Sequence, residues 1–214
     1  MIRCLDIHTH HPAPALCAVV AESIQGFEPF PGQYYSVGIH PWETVRNITP
    51  EEYRQLEKMA EKEYVVAIGE CGIDKLKGGP LFRQMNLFKR HIDLSEELKK
   101  PLIIHDVKAH DVIVGLKRDL NPTQKWLVHG FRGKPSVAKM LTDAGIYLSF
   151  GEKFNPETLL SVPRNMILAE TDESTLPIEE IIGNLSAVIG HDITDLIADN
   201  TSFFLFGSNI NCGI

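Results

Sequence analysis

The sequence predicts an α/β fold, a compact TIM-like (β/α) barrel with an abbreviated first βα unit, on three observations. Eight short apolar runs recur along the 214 residues, helical patterns lie between several of them, and histidines and carboxylates gather at the ends of those runs. Strands that alternate with helices make a parallel sheet, and eight of them fit a closed barrel better than an open one.

The runs are Ile2–Ile7, Leu16–Val20, Tyr34–Ile39, Val65–Ile68, Pro101–Ile104, Trp126–Val128, Ile146–Phe150 and Met166–Ala169. Each is short, apolar and bounded by polar residues, Gly or Pro, which reads as a buried strand. Helical spacing marks Pro50–Glu63, Pro80–Lys99, Lys134–Ala144 and Ile178–Ile189. Thr49-Pro50-Glu51-Glu52 combines an N-cap residue, Pro at the first helical position and acids suited to the helix dipole, and the helix at Pro80 opens in a similar way. Only five residues separate His11 from Cys17, too few for a crossover helix. Pro12–Gly32 mixes one strand with Pro-rich loops. With no Gly/Ser linker, low-complexity tract or repeat, residues 1–214 are expected to form one barrel domain, and Asn209–Ile214 is a polar tail given no role.

A 43% hydrophobic and 23% charged composition is that of an ordinary globular chain, able to fold on one core without disulfides or an obligate partner. Cys4, Cys17, Cys71 and Cys212 form no close pair, which points to reduced thiols. No signal peptide opens the sequence and no apolar run approaches the roughly 20 residues of a membrane span, so a cytoplasmic protein is expected. The net charge of −7 gives no overall attraction to nucleic acid; small anionic substrates remain open, because a bound dication reverses the local field.

The chemistry sits at the strand ends. Asp6-Ile7-His8-Thr9-His10 closes an apolar run with two histidines at i and i+2, a spacing of about 7 Å that lets both reach one metal. Glu70 ends another run, in Gly69-Glu70-Cys71-Gly72, where the glycines admit a close backbone approach. Alone it would read as an ion-paired carboxylate in a tight turn; beside the histidines it reads as a bridging metal ligand. His105 and His129 each end an apolar strand, at the rim where barrel active sites lie. A lone strand-end histidine is usually a satisfied core residue, but four at one rim are not independent accidents. Glu170-Thr171-Asp172 ends the last strand, with Glu170 and Asp172 on the same side. Asp172 can cap the segment before Pro177, or bind metal and take a proton from water. Arg132 and Lys153 follow strand ends and could meet a phosphate oxygen, although basic loop residues are usually solvated. His11, His91, His110 and His191 lie in polar or helical settings, and Cys71, although beside Glu70, is read as packing.

Taken in order, these residues resemble the TatD family of metal-dependent hydrolases, within the amidohydrolase-like barrels. The H-x-H, G-x-H-P, G-E-x-G-L-D, strand-end H, H-x-F-x-G and E-T-D landmarks are matched by His8/His10, Gly38–Pro41, Gly69–Asp74, His105, His129–Gly133 and Glu170–Asp172. The resemblance implies two divalent metal ions, one held by His8, His10 and Asp172 and one by His105 and His129, with Glu70 bridging. Asp172 and Glu70 are then the catalytic pair, with Asp172 as base, and His40 lines the pocket with Arg132 and Lys153. Mixed imidazole and carboxylate ligands favour Zn, with Mn, Co, Ni or Mg as alternatives. Two departures bear on substrate: Asp106-Val107 replaces the family's basic residue after His105, and Glu173-Ser174 replaces a small residue and Pro after E-T-D.

The resemblance therefore implies phosphodiester hydrolysis of the deoxyribonuclease type, on single-stranded DNA or DNA ends, by metal-activated water. The acidic charge and short early loops leave a small phosphorylated molecule as an alternative substrate. Two further alternatives are an amidohydrolase-type amide or ester hydrolase (a deacylase) and a non-catalytic metal-binding protein.

Overall fold

A computed structural model describes residues 4–11, 18–24 and 28–207 of the chain. Eight parallel strands close into a barrel in sequence order: β1 (Asp6–Thr9), β2 (Ala18–Glu22), β3 (Tyr34–Val37), β4 (Val65–Asp74), β5 (Leu102–Val107), β6 (Trp126–Val128), β7 (Ile146–Phe150) and β8 (Ile167–Ala169). β1 meets β8 through the pair Asp6 and Ala169, which closes the ring. The helices are α1 (Pro50–Ala60), α2 (Leu81–Leu98), α3 (His110–Leu120), α4 (Pro135–Asp143), α5 (Pro156–Ser161), α6 (Ile178–Ile189) and α7 (Thr194–Phe206). No single helix among the described residues is long and apolar enough to cross a membrane.

Alternation along the strands sorts the apolar residues into two layers. Ile7, Val19, Ala67, Ile103, Leu127 and Leu168 pack together inside the ring, where Phe204 and Leu205 of α7 join them. The outward row, including Ile68, Leu102, Ile104, Trp126, Val128, Ile146, Leu148, Ile167 and Ala169, packs under the helices. His105, His129 and Glu170 stand two residues beyond Ile103, Leu127 and Leu168. The pleat that buries those apolar side chains inside the ring therefore aims the polar ones inward at its C-terminal rim.

All eight expected strands form, with shifted ends. The capping box at Thr49 is complete: its Oγ1 accepts from the Glu52 amide at 3.2 Å while Glu52 Oε2 accepts from the Thr49 amide at 2.8 Å. α2 departs from the expectation of a similar start, since Pro80 occupies the cap position with no side-chain cap and the helix begins at Leu81. α3, α5 and α7 were not foreseen. Cys4 and Cys71 are buried free thiols, whereas Cys17, Cys212 and the tail from Asn209 lie outside the described residues.

His91 is a structural histidine. It is fully buried on α2, its Nε2 accepts from the Ile39 amide at 3.0 Å and its Nδ1 donates to the Leu87 carbonyl at 2.9 Å. It ties α2 to the turn that carries His40. Burial pushes its pKa down from 6.5 to about 4, so the native state resists the proton that the unfolded chain accepts. The stability due to neutral His91 is therefore complete above pH 6.5 and is lost as pH falls towards about 4. The urea midpoint should drop across that window by more in the wild type than in His91→Gln, and equal drops would remove His91 as the cause.

Candidate metal centre

Glu70 lies at the middle of the C-terminal rim. It sits where β4 presses closest to its neighbours. A Cβ on Gly69 would lie 2.5 Å from the Ile103 carbonyl oxygen, and one on Gly72 would lie 2.2 Å from that of His105. The glycines flanking Glu70 thus allow the close approach that their spacing suggests. The Gly69–Glu70 peptide is cis.

The two carboxylate oxygens of Glu70 face different sets of imidazoles. Oε1 lies 2.7 Å from His105 Nδ1, 2.8 Å from His129 Nε2 and 3.1 Å from His40 Nε2. Oε2 lies 3.6 Å from His8 Nε2 and 3.5 Å from His10 Nε2. Asp172 Oδ1 completes the second side, 3.8 Å from His8 Nε2 and 3.7 Å from His10 Nε2. His8 is wholly buried, yet neither of its ring nitrogens has a hydrogen-bond partner among the described residues, a costly state unless something else binds them.

Backbone contacts fix Asp172. Its φ of 54° is left-handed, which side-chain-bearing residues seldom adopt. Its amide donates to the His8 carbonyl at 2.9 Å, and its carbonyl accepts from the His10 amide at 3.0 Å. Beneath it, Asp6 accepts from Thr171 Oγ1 at 2.6 Å and from the Thr171 amide at 3.0 Å. Strain held in place by so many contacts is typical of functional positions.

Two carboxylates outside the expected set hold the imidazoles from behind. Glu170 is fully buried, accepts from the Ser149 hydroxyl and lies 3.6 Å from His129 Nδ1, which leaves Nε2 facing Glu70. Asp74 Oδ2 lies 3.4 Å from His105 Nε2 and accepts from Trp42 Nε1 at 2.7 Å, leaving His105 Nδ1 for the centre. Both were visible in the sequence within E-T-D and G-E-x-G-x-D, but nothing there separated a supporting carboxylate from a ligand.

Charge follows geometry. Burial works to raise the Glu70 carboxyl, but His129, His10 and His105 outweigh it and hold it well below its ordinary range. Burial likewise works to lower His129, whereas Glu70 and Glu170 hold it well above its ordinary value. The hydrogen bond to Glu70 raises His10.

Around this cluster opens a cavity of about 640 Å³, lined among others by His10, His40, Trp42, Glu70, His129 and Asp172. The structure thus brings seven of the nine expected site residues to one place: His8, His10, His40, Glu70, His105, His129 and Asp172. Arg132 and Lys153 are exposed and do not line the cavity. Asp106, which stands where the family has a basic residue, has a structural job. It accepts from the Ala109 amide at 3.0 Å and lies 2.5 Å from His110 Nδ1, which anchors the start of α3.

A family model described as TatD related DNase matches residues 16–182. The chain belongs to the TatD family. Among curated TatD relatives, the uncharacterized metal-dependent hydrolase YabD of Bacillus subtilis is 30% identical over 162 residues, 72% of this chain and 63% of its own length. One from Buchnera aphidicola is 36% identical over 150 residues, 66% of this chain and 56% of that protein. The chain thus spans less than two thirds of these relatives' length. The crystal structure of YjjV, a TatD homolog from Escherichia coli, superposes with a TM-score of 0.80 at 20% identity, covering 96% of this chain and 99% of that one. At that identity it supports the barrel alone, in agreement with the sequence.

Proposed function

We propose that this TatD-family chain is a metal-dependent hydrolase that cleaves phosphodiesters, with single-stranded DNA ends as the substrate that the family resemblance implies. The observation that carries the reading is the division of Glu70: one oxygen faces His105 and His129, the other faces His8 and His10 beside Asp172. That is the disposition of a carboxylate shared by two cation sites, and the unpartnered nitrogens of buried His8 fit it. His8, His10 and Asp172 would hold one ion, His105 and His129 the other. Mixed nitrogen and oxygen donors suit Zn first, then Mn, Co or Ni, with Mg less favoured.

When bound, such ions supply Lewis acidity and lower the pKa of water at the site towards neutrality. Asp172, 26% exposed at the cavity floor, is placed to accept a proton from that water. Glu170 and Asp74 keep His129 and His105 in single orientations, and His40 lines the cavity beside Glu70. Supporting carboxylates of this kind change metal affinity about 10–100-fold when removed. Glu170→Gln should therefore weaken metal binding by that factor in a chelator-competition titration, and unchanged affinity would reduce Glu170 to packing.

Metal content by elemental analysis, followed on the same sample by hydrolysis of a generic phosphodiester and of single-stranded DNA, tests the whole reading. About two ions per chain with metal-dependent cleavage is expected. Metal without phosphodiester cleavage would move the assignment to amide or ester hydrolysis, and failure to bind any of the five metals would end it.

A further inference from the structure

The outer wall of the cavity differs in charge from its floor. Glu70 and Asp172, at the floor, face imidazoles and the proposed cations. Higher up, Glu22, Glu43 and Glu173 line the wall, and among the described lining residues the one Lys or Arg is Arg46. Its guanidinium is already committed, with Nη2 3.0 Å from Glu43 and Nη1 2.6 Å from Glu52. Glu22 and Glu173 have neither an ion pair nor a hydrogen bond among the described residues.

Glu22 is the more telling of the two. It is the last residue of β2, at the same rim that carries the centre, and it is half-buried. Burial holds its carboxyl above the ordinary range, with His10 drawing it partly back. A desolvated carboxylate without a cation is costly in the free protein, and such groups in clefts mark functional positions. Glu173 follows Asp172 directly and occupies one of the two places where the sequence leaves the family pattern.

We propose that Glu22 and Glu173 select a substrate carrying a protonated amine next to its scissile bond. This rests on the hydrolase reading of the same site. The class is a small phosphodiester whose amine lies against Glu22 while its phosphoryl group sits at the floor. A cavity of about 640 Å³ suits such a molecule. A polynucleotide would instead bring further phosphates against two uncompensated carboxylates, and like-charge contacts of that kind reject a ligand.

The test uses two chromogenic esters that differ only in the amine, 4-nitrophenyl 2-aminoethyl phosphate and 4-nitrophenyl ethyl phosphate, with the metal-loaded protein. Its second readout is calorimetric binding of phosphoethanolamine against ethyl phosphate to the protein as purified. The amine should raise both kcat/KM and affinity about tenfold, the worth of one charge-assisted hydrogen bond. In Glu22→Gln/Glu173→Gln the preference should shrink to within about twofold, while hydrolysis of the ethyl ester persists. Both esters cleaved equally by the wild type would overturn the inference and leave the hydrolase reading standing, as would a preference that survives in the double variant. Preferential binding of phosphoethanolamine without cleavage of either ester would support the wall and sink the phosphodiesterase. Absence of both binding preference and cleavage would sink the two together. Because the wild-type ratio is itself decisive, a variant that fails to fold leaves the test intact.

Discussion

Glu70→Ala should lower kcat/KM by at least about a thousandfold, roughly 4 kcal/mol of transition-state stabilisation, while the barrel stays folded. Five imidazoles lie within 3.6 Å of this one carboxylate, so its removal takes a donor from both halves of the proposed centre. The backbone at this position is held independently, by the ladders of β4 with β3 and β5, and the side chain lies 10% exposed at the cavity floor. Circular dichroism should therefore match the wild type while metal content falls. Retention of full turnover would remove the shared-carboxylate mechanism.

A second large effect is expected in thermal stability. A ligand present at about a thousand times its Kd stabilises the native state by about 4 kcal/mol. In a chain of this length that corresponds to roughly 8–16 °C in Tm. Adding Zn or Mn to metal-stripped protein should produce a rise of that order, and Asp172→Asn should lose most of it. A flat melting curve with each of the five metals would contradict the assignment of His8, His10 and Asp172 as ligands.

Much of this was legible in the sequence because strand and site share one periodicity. Apolar residues inside the ring and polar ones at its rim alternate with the same pleat, so Leu102–His105 and Trp126–His129 announce both at once. What stayed hidden has physical reasons. α7 has no polar outer stripe along its length: it buries Ile197, Phe204 and Leu205 together with Asn200 and Thr201, and Asn200 Nδ2 donates to the carbonyls of Arg164 and Ile167. α3 starts from Ala109 with no side-chain cap of its own, anchored instead by Asp106. Glu22 was passed over because a single acid ending a strand of Ala and Val looks like ordinary solvated punctuation. Only the closed ring turns it towards the cavity. Arg132 and Lys153 show the converse, since nearness in sequence to a strand end did not place them on the cavity wall.

The join between β1 and β8 is the thinnest in the ring, with one registered residue pair, and it is also where His8, His10 and Asp172 meet. Segments 165 residues apart are buttoned there by Asp6 and Thr171. Assembly of the reactive constellation and completion of the cylinder are consequently one topological event. A nascent chain still lacking its eighth strand has half of its ligands and no second side to Glu70, so it has no premature chemistry to suppress. Any breathing of the mature protein along this line separates the donors together, which makes competence an all-or-none property of the closed circle.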